Sequence, residues 1–67
     1  MYKTEAEEVD AVYVALMRNG ISSEDDLTEK AASIYLAYPK IKVESIRKAM
    51  LKVRVYYDKD LHIHRGY

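Results

Sequence analysis

Apolar residues recur at the three- and four-residue spacing of an amphipathic helix in three segments of the chain. The spacing predicts helices over residues 5–19, 23–38 and 43–53, with mostly polar side chains on their other faces. The apolar stripes form the expected core, which comprises Val9, Val12, Tyr13, Leu16, Met17, Leu27, Ala31, Ile34, Tyr35, Tyr38, Val43, Ile46, Ala49, Met50 and Val53.

Residues with strong preferences for helix ends separate these segments. Gly20 is expected to end the first helix, because glycine readily takes the left-handed conformation of a C-terminal cap. Ser22 or Ser23 can cap the second helix, although a start at Thr28 is also compatible with the pattern. Pro39 is expected to end the second helix, because the residue before a proline is pushed out of helical geometry.

Residues 54–64 fit two patterns. Val53, Val55 and Tyr57 alternate, and β-branched and aromatic residues favour a strand. The helical period, however, also continues through Tyr57 and Leu61. We favour a β-hairpin over residues 54–64. The expected fold is thus a single small α+β domain, mainly α, with a three-helix core and a short C-terminal hairpin. An all-α three-helix bundle is the alternative.

The chain is small and lacks covalent support. A domain of its length, 67 residues, buries only about 60% of the surface of its unfolded chain, so its stability is expected to be marginal. The absence of cysteine excludes disulfides and thiolate zinc sites and fits a reducing compartment. Seven tyrosines, with no Phe or Trp, supply amphipathic rings suited to interfaces. We therefore expect self-association, as a homodimer.

Several classes of protein are not expected. No apolar stretch approaches the roughly 18 residues of a membrane span, and the acidic N-terminus is unlike a signal peptide. A cytoplasmic protein without a membrane partner is therefore expected. The chain has no cysteine nucleophile and no glycine-rich phosphate loop, and its serines lack a Gly-x-Ser-x-Gly setting. Enzyme activity, a cofactor and a small-molecule substrate are accordingly not expected.

The net charge of zero conceals two oppositely charged halves. Residues 1–39 carry three basic and eight acidic side chains, a net charge of −5, whereas residues 40–67 carry eight basic and three acidic ones, a net charge of +5. A basic half of this kind suggests a polyanionic partner. The alternative is that the acidic half neutralises the basic half, within one chain or across a dimer.

A helix, a connector and a basic helix followed by a hairpin would resemble the winged helix-turn-helix family over residues 28–64. In that family the second helix of the pair enters the DNA major groove. The connector with Pro39 is longer than the tight turn of the family. The resemblance implies a small regulator or accessory protein that binds double-stranded DNA. Its predicted DNA-binding residues are Lys40, Lys42, Ser45, Arg47, Lys48, Lys52, Arg54, Lys59 and Arg65.

Two further interpretations remain open. Asp60, His62 and His64 would share one face of a strand and could bind a metal ion, but unliganded terminal histidines are commoner and no metal site is predicted. The other is a small homo-oligomeric interaction module or inhibitor. Tyrosines are enriched at binding hot spots, and this module would act through surfaces that include Tyr35, Tyr38, Tyr56 and Tyr57.

Overall fold

The computed structural model describes residues 3–61 of the chain, and the side chains of residues 3–57. It contains three helices: α1 over Glu5–Met17, α2 over Glu24–Ala37 and α3 over Val43–Leu61. The described part of the chain has no strand. The fold is therefore all-α, and the predicted α+β fold with a hairpin over residues 54–64 is wrong for residues 54–61. Residues 62–64 of that prediction lie outside the described part.

Short polar side chains start the first two helices. The Thr4 hydroxyl accepts a hydrogen bond from the backbone N–H of Glu7, at 3.1 Å, and the Ser23 hydroxyl accepts one from Asp26, at 3.0 Å. Each bond satisfies a backbone donor that has no partner within its helix. The second helix thus starts at Glu24, directly after Ser23, and residues 24–27 do not form a loop.

The ends of α1 and α2 follow from glycine and proline. Gly20 has a φ of +76°, a conformation that side chains with a Cβ atom rarely adopt, and its N–H donates to the Met17 carbonyl. Tyr38 lies just before Pro39 and leaves helical geometry, with φ −130° and ψ 74°. Both turns therefore reverse the chain within a few residues.

The third helix continues to Leu61 because its inward stripe continues. Val53 is buried, and Tyr57, one turn later, packs against the core. The Tyr57 hydroxyl accepts a hydrogen bond from the backbone N–H of Ile21, at 2.8 Å. These long-range contacts favour a helix despite the strand propensity of Val55 and the tyrosines, since strand propensity depends strongly on context.

The helices form an up-down-up bundle. Glu5 meets Lys48 and Asp10 meets Lys52, so α1 and α3 run in the same direction. A short connector joins the end of α2 to the start of α3, whereas the start of α2 contacts Arg54 in the second half of α3. The α2 helix therefore runs in the opposite direction. The buried apolar core comprises Val9, Val12, Leu16, Leu27, Ala31, Ile46, Ala49 and Val53.

Three residues expected in the core lie largely outside it. Tyr35, Tyr38 and Val43 expose 50%, 60% and 51% of their surfaces, respectively. All three lie near the connector between α2 and α3, where Ile34 and Ile41 are the residues that pack against the core. The helical stripe was therefore wider than the core available to cover it.

Among the described residues, no helix is long and apolar enough to cross a membrane.

Candidate interaction surfaces

The basic face of α3 lies beside the acidic face of α1. The ammonium group of Lys48 is 2.9 Å from a carboxylate oxygen of Glu5, and that of Lys52 is 2.7 Å from Asp10. Lys52 also lies 5.1 Å from the centre of the Tyr13 ring, within the range of a cation–π contact. Two of the predicted DNA-binding lysines are therefore paired with carboxylates of the same chain.

Ser45 joins the same two helices from inside. It is fully buried, and its hydroxyl donates a hydrogen bond of 2.6 Å to a Glu8 carboxylate oxygen. The sequence predicts Ser45 on the DNA-facing side of α3. In the structure its side chain lies between α1 and α3, because a small side chain allows the two helices to approach closely.

Arg54 pairs with the first turn of α2. Its Nε and Nη2 atoms donate to the Glu24 carboxylate at distances between 3.0 and 3.2 Å. Such a two-pronged contact is the preferred geometry for arginine and a carboxylate. A third predicted DNA contact is therefore engaged within the chain.

The other predicted DNA-binding residues are spread over several places. Lys40 and Lys42 lie exposed in the connector, and Arg47 lies exposed on α3. Among the described side chains, none of these three forms an ion pair. Lys59 belongs to α3, in the part without described side chains, and Arg65 lies outside the described residues. Of the predicted DNA-binding residues with described side chains, Lys40, Lys42 and Arg47 are thus the ones that remain exposed without an ion pair.

Among the described side chains, those of Lys48 and Asp26 have shifted pKa values, and in both cases the main cause is a neighbouring ion-pair partner. The carboxylate of Glu5 raises the pKa of Lys48 above its usual value. The ammonium group of Lys30, followed by the backbone N–H of Ser22, lowers the pKa of Asp26. Both shifts favour the charged forms. They describe charge pairing on the surface rather than a group prepared for proton transfer.

A groove runs along α1, between α1 and the end of α2. Its volume is about 600 Å³. Most of its wall is apolar, whereas Asp10 and Arg18 supply the charged groups along the α1 side. The lining residues are Asp10, Ala11, Val12, Val14, Ala15, Arg18, Ile34, Tyr38 and Ile41.

Large apolar side chains are exposed around the bundle. Val14 lies in the groove, Leu36 faces outward from α2, and Leu51 and Val55 lie one turn apart on α3. Isolated exposed apolar residues are normal, but groups of them indicate contact surfaces. The exposed set within the described side chains is Val14, Tyr35, Leu36, Tyr38, Val43, Leu51, Val55 and Tyr56.

Sequence reasoning missed the α1 side of the groove. Ala11, Val14 and Ala15 lie off the inward stripe of α1 and were not assigned a role. The sequence feature that could have indicated them is a second set of apolar residues, at helical spacing, on the face of α1 opposite the predicted core stripe. This run becomes informative only when the neighbouring helix is known to leave it open.

The predicted strand that would carry Asp60, His62 and His64 on one face is not formed at Asp60, which belongs to α3. His62 and His64 lie outside them. Among the described residues, no group of three or more His, Cys, Asp or Glu side chains could hold a metal ion.

No protein-family model, curated protein or solved structure matches the chain.

Proposed function

We propose that the chain is a small protein-interaction module that works as a homo-oligomer. The observation that carries this proposal is the exposed apolar set, whose eight members leave between 43% and 77% of their surfaces uncovered. In a chain this small, covering such groups would stabilise the folded state as well as form a contact. A cytoplasmic setting belongs to the same proposal and rests on the cysteine-free composition.

The pairing of charges favours this function over DNA binding. Lys48, Lys52 and Arg54 contact Glu5, Asp10 and Glu24, respectively. A phosphate backbone would have to compete with those carboxylates and would meet the acidic side of α1 at the same surface. DNA binding therefore takes second place, supported among the described side chains by Lys40, Lys42 and Arg47, which form no ion pair there.

Sedimentation velocity over a range of about 1 to 100 µM tests the proposal, because self-association makes the sedimentation coefficient depend on concentration. We expect a reversible shift from monomer to dimer or a higher species within this range. A monomer throughout would contradict a homo-oligomeric module.

A titration with generic duplex DNA at two salt concentrations tests the competing function. We expect no binding that weakens steeply with salt. Affinity falling with salt by the slope of several phosphate contacts would identify DNA as the partner, and the interaction module would then be rejected as the main function.

A further inference from the structure

The groove beside α1 has charges arranged so that it complements itself. Asp10 lies toward one end of its α1 wall and Arg18 toward the other, with Val14 midway between them. The two charged residues are eight positions apart, which corresponds to about 12 Å along a helix. A copy of this wall turned end over end would place each acid opposite a base.

Helix geometry puts these three residues along one ridge. Positions 10, 14 and 18 are separated by four residues, so their side chains follow one another along the α1 surface. In an antiparallel pair of α1 helices with Val14 at the centre, Asp10 of each copy lies opposite Arg18 of the other. The same contact occurs twice, as a two-fold interface requires.

Small residues on this wall allow the two helices to approach. Ala11 and Ala15 flank Val14 and both line the groove. Short side chains reduce the distance between packed helices toward the lower end of the usual range of about 8–10 Å. Ile34 of α2 and Tyr38, which directly follows α2, form the opposite wall, where they can pack against the incoming helix.

Both charged groups are accessible for such a contact. The Asp10 carboxylate contacts Lys52 through one oxygen, and its side chain remains 66% exposed. Arg18 is exposed and forms no ion pair with the described side chains. The groove therefore presents one acid and one base that a partner of the same sequence can satisfy.

We propose that a second copy of this chain occupies the groove, through an antiparallel two-fold pairing of the two α1 helices centred on Val14. The inference rests on the proposed function, since it specifies the surface through which the module associates with itself. The apolar stripe of Leu51 and Val55 on α3 of a second copy is a less suitable occupant of the groove. Its neighbours in the sequence, Lys52 and Arg54, are both basic, whereas the groove offers one acid and one base to be matched.

A charge swap tests this pairing. Asp10→Arg alone brings two arginines together at each end of the interface, and Arg18→Glu alone brings two acids together. Each variant is expected to weaken self-association by about tenfold or more, since like charges in contact are strongly unfavourable. Mixed one to one, the two variants form two attractive contacts, and the mixture should dimerise about as tightly as the unmodified chain.

Arg47→Glu is the matched control. It reverses an exposed arginine on α3 that does not line the groove, and it should leave self-association unchanged. Val14→Asp is a second test, because it places two carboxylates together at the two-fold axis and should abolish pairing. Circular dichroism of every variant establishes that the helices are retained. If Asp10→Arg unfolds the chain, Arg18→Glu and Val14→Asp still decide the question.

The outcomes separate the two proposals. If the unmodified chain is monomeric throughout the concentration range, the proposed function and this inference both fail. If it self-associates but the groove variants do so equally well, the interface lies elsewhere, and only this inference fails. Folded variants that are weakened individually but not restored by mixing would also overturn the antiparallel arrangement.

Discussion

The two sides of α1 are covered very differently. Toward α3, its residues Val9, Val12 and Leu16 are buried in the core, and ion pairs from Lys48 and Lys52 border the contact. Toward the end of α2, the same helix borders a groove of about 600 Å³. One helix of 13 residues thus has one closed side and one open side.

This difference follows from the side chains available on the neighbouring helices. The α3 helix offers small buried residues, Ser45 and Ala49, so the backbones can approach and the larger α1 side chains fill the space between them. The second half of α2 and the residue after it instead place Tyr35, Leu36 and Tyr38 largely outside the core. A short chain covers little of its apolar surface, and here the uncovered part is concentrated beside α1 and on the outer faces.

The largest expected effect comes from truncating the closed side of α1. Leu16 has no exposed surface, and Leu16→Ala should reduce the free energy of unfolding by about 2–5 kcal/mol, through lost burial and the cavity that remains. Val14→Ala changes the open side of the same helix, where Val14 is 56% exposed. It should change the stability of the monomer by less than about 0.5 kcal/mol.

Urea denaturation followed by circular dichroism measures both effects. The protein concentration should be below the range in which sedimentation detects association, so that dimer formation does not contribute to stability. Equal losses for the two variants would show that the groove side of α1 is as well packed as the α3 side. The contrast between the two sides would then be wrong.

A smaller effect is expected where the turn after α1 meets α3. The Tyr57 hydroxyl accepts a hydrogen bond from the backbone N–H of Ile21, and Tyr57→Phe removes that acceptor while keeping the ring. The free energy of unfolding should fall by about 0.5–1.5 kcal/mol in the same denaturation experiment. Tyr56→Phe is the control, because Tyr56 is adjacent and 43% exposed and, among the described contacts, its hydroxyl forms no hydrogen bond.

Comparable losses for the two tyrosine variants would contradict this assignment. The effect of Tyr57→Phe would then come from a general property of the α3 surface. A loss confined to Tyr57→Phe would show that the Ile21 contact helps to fix the C-terminal half of α3 against the end of α1.

Local signals predicted much of the helical framework. Gly20 and Pro39 marked the two reversals, and Ser23 was one of the proposed caps for α2. The segment after Val53 was predicted wrongly because its apolar residues fit both a strand and a helix. The contacts of Arg54 with Glu24 and of Tyr57 with Ile21 join distant parts of the sequence, which local propensity does not reveal.

The surfaces were less predictable than the helices. Helical periodicity correctly separates exposed Lys48 and Lys52 from the buried stripe of α3. It does not show which helix lies beside those lysines. Their ion pairs with Glu5 and Asp10 form only because α1 packs against α3. Val14 had no assigned role for the same reason, since an exposed valine defines a groove only together with α2.

The smallest expected effect concerns the pH dependence of the start of α2, a region fixed by its own contacts rather than by α1. Asp26 accepts hydrogen bonds from Lys30 and from the backbone N–H of Ser22, and these lower the pKa of its carboxyl below its usual value. A carboxyl whose pKa is lower in the folded state stabilises the protein above its unfolded pKa. That contribution disappears as the pH falls through the folded pKa.

Asp26→Asn should therefore lower the urea midpoint near neutral pH. The difference from the unmodified chain should shrink as the pH falls below the ordinary pKa of an unfolded aspartate, about 3.9. Asp25→Asn is the matched control, because it removes one charge from the same helical turn without contacting Lys30 or Ser22. Its effect at neutral pH should be smaller than that of Asp26→Asn. A difference for Asp26→Asn that stays constant down to pH 2 would show that the ionised carboxylate contributes nothing specific. The first half of α2 would then be held in place by the packing of Leu27 and Ala31 in the core, as α1 is held by Leu16. Burial of these apolar side chains alone would explain why the start of α2 is helical.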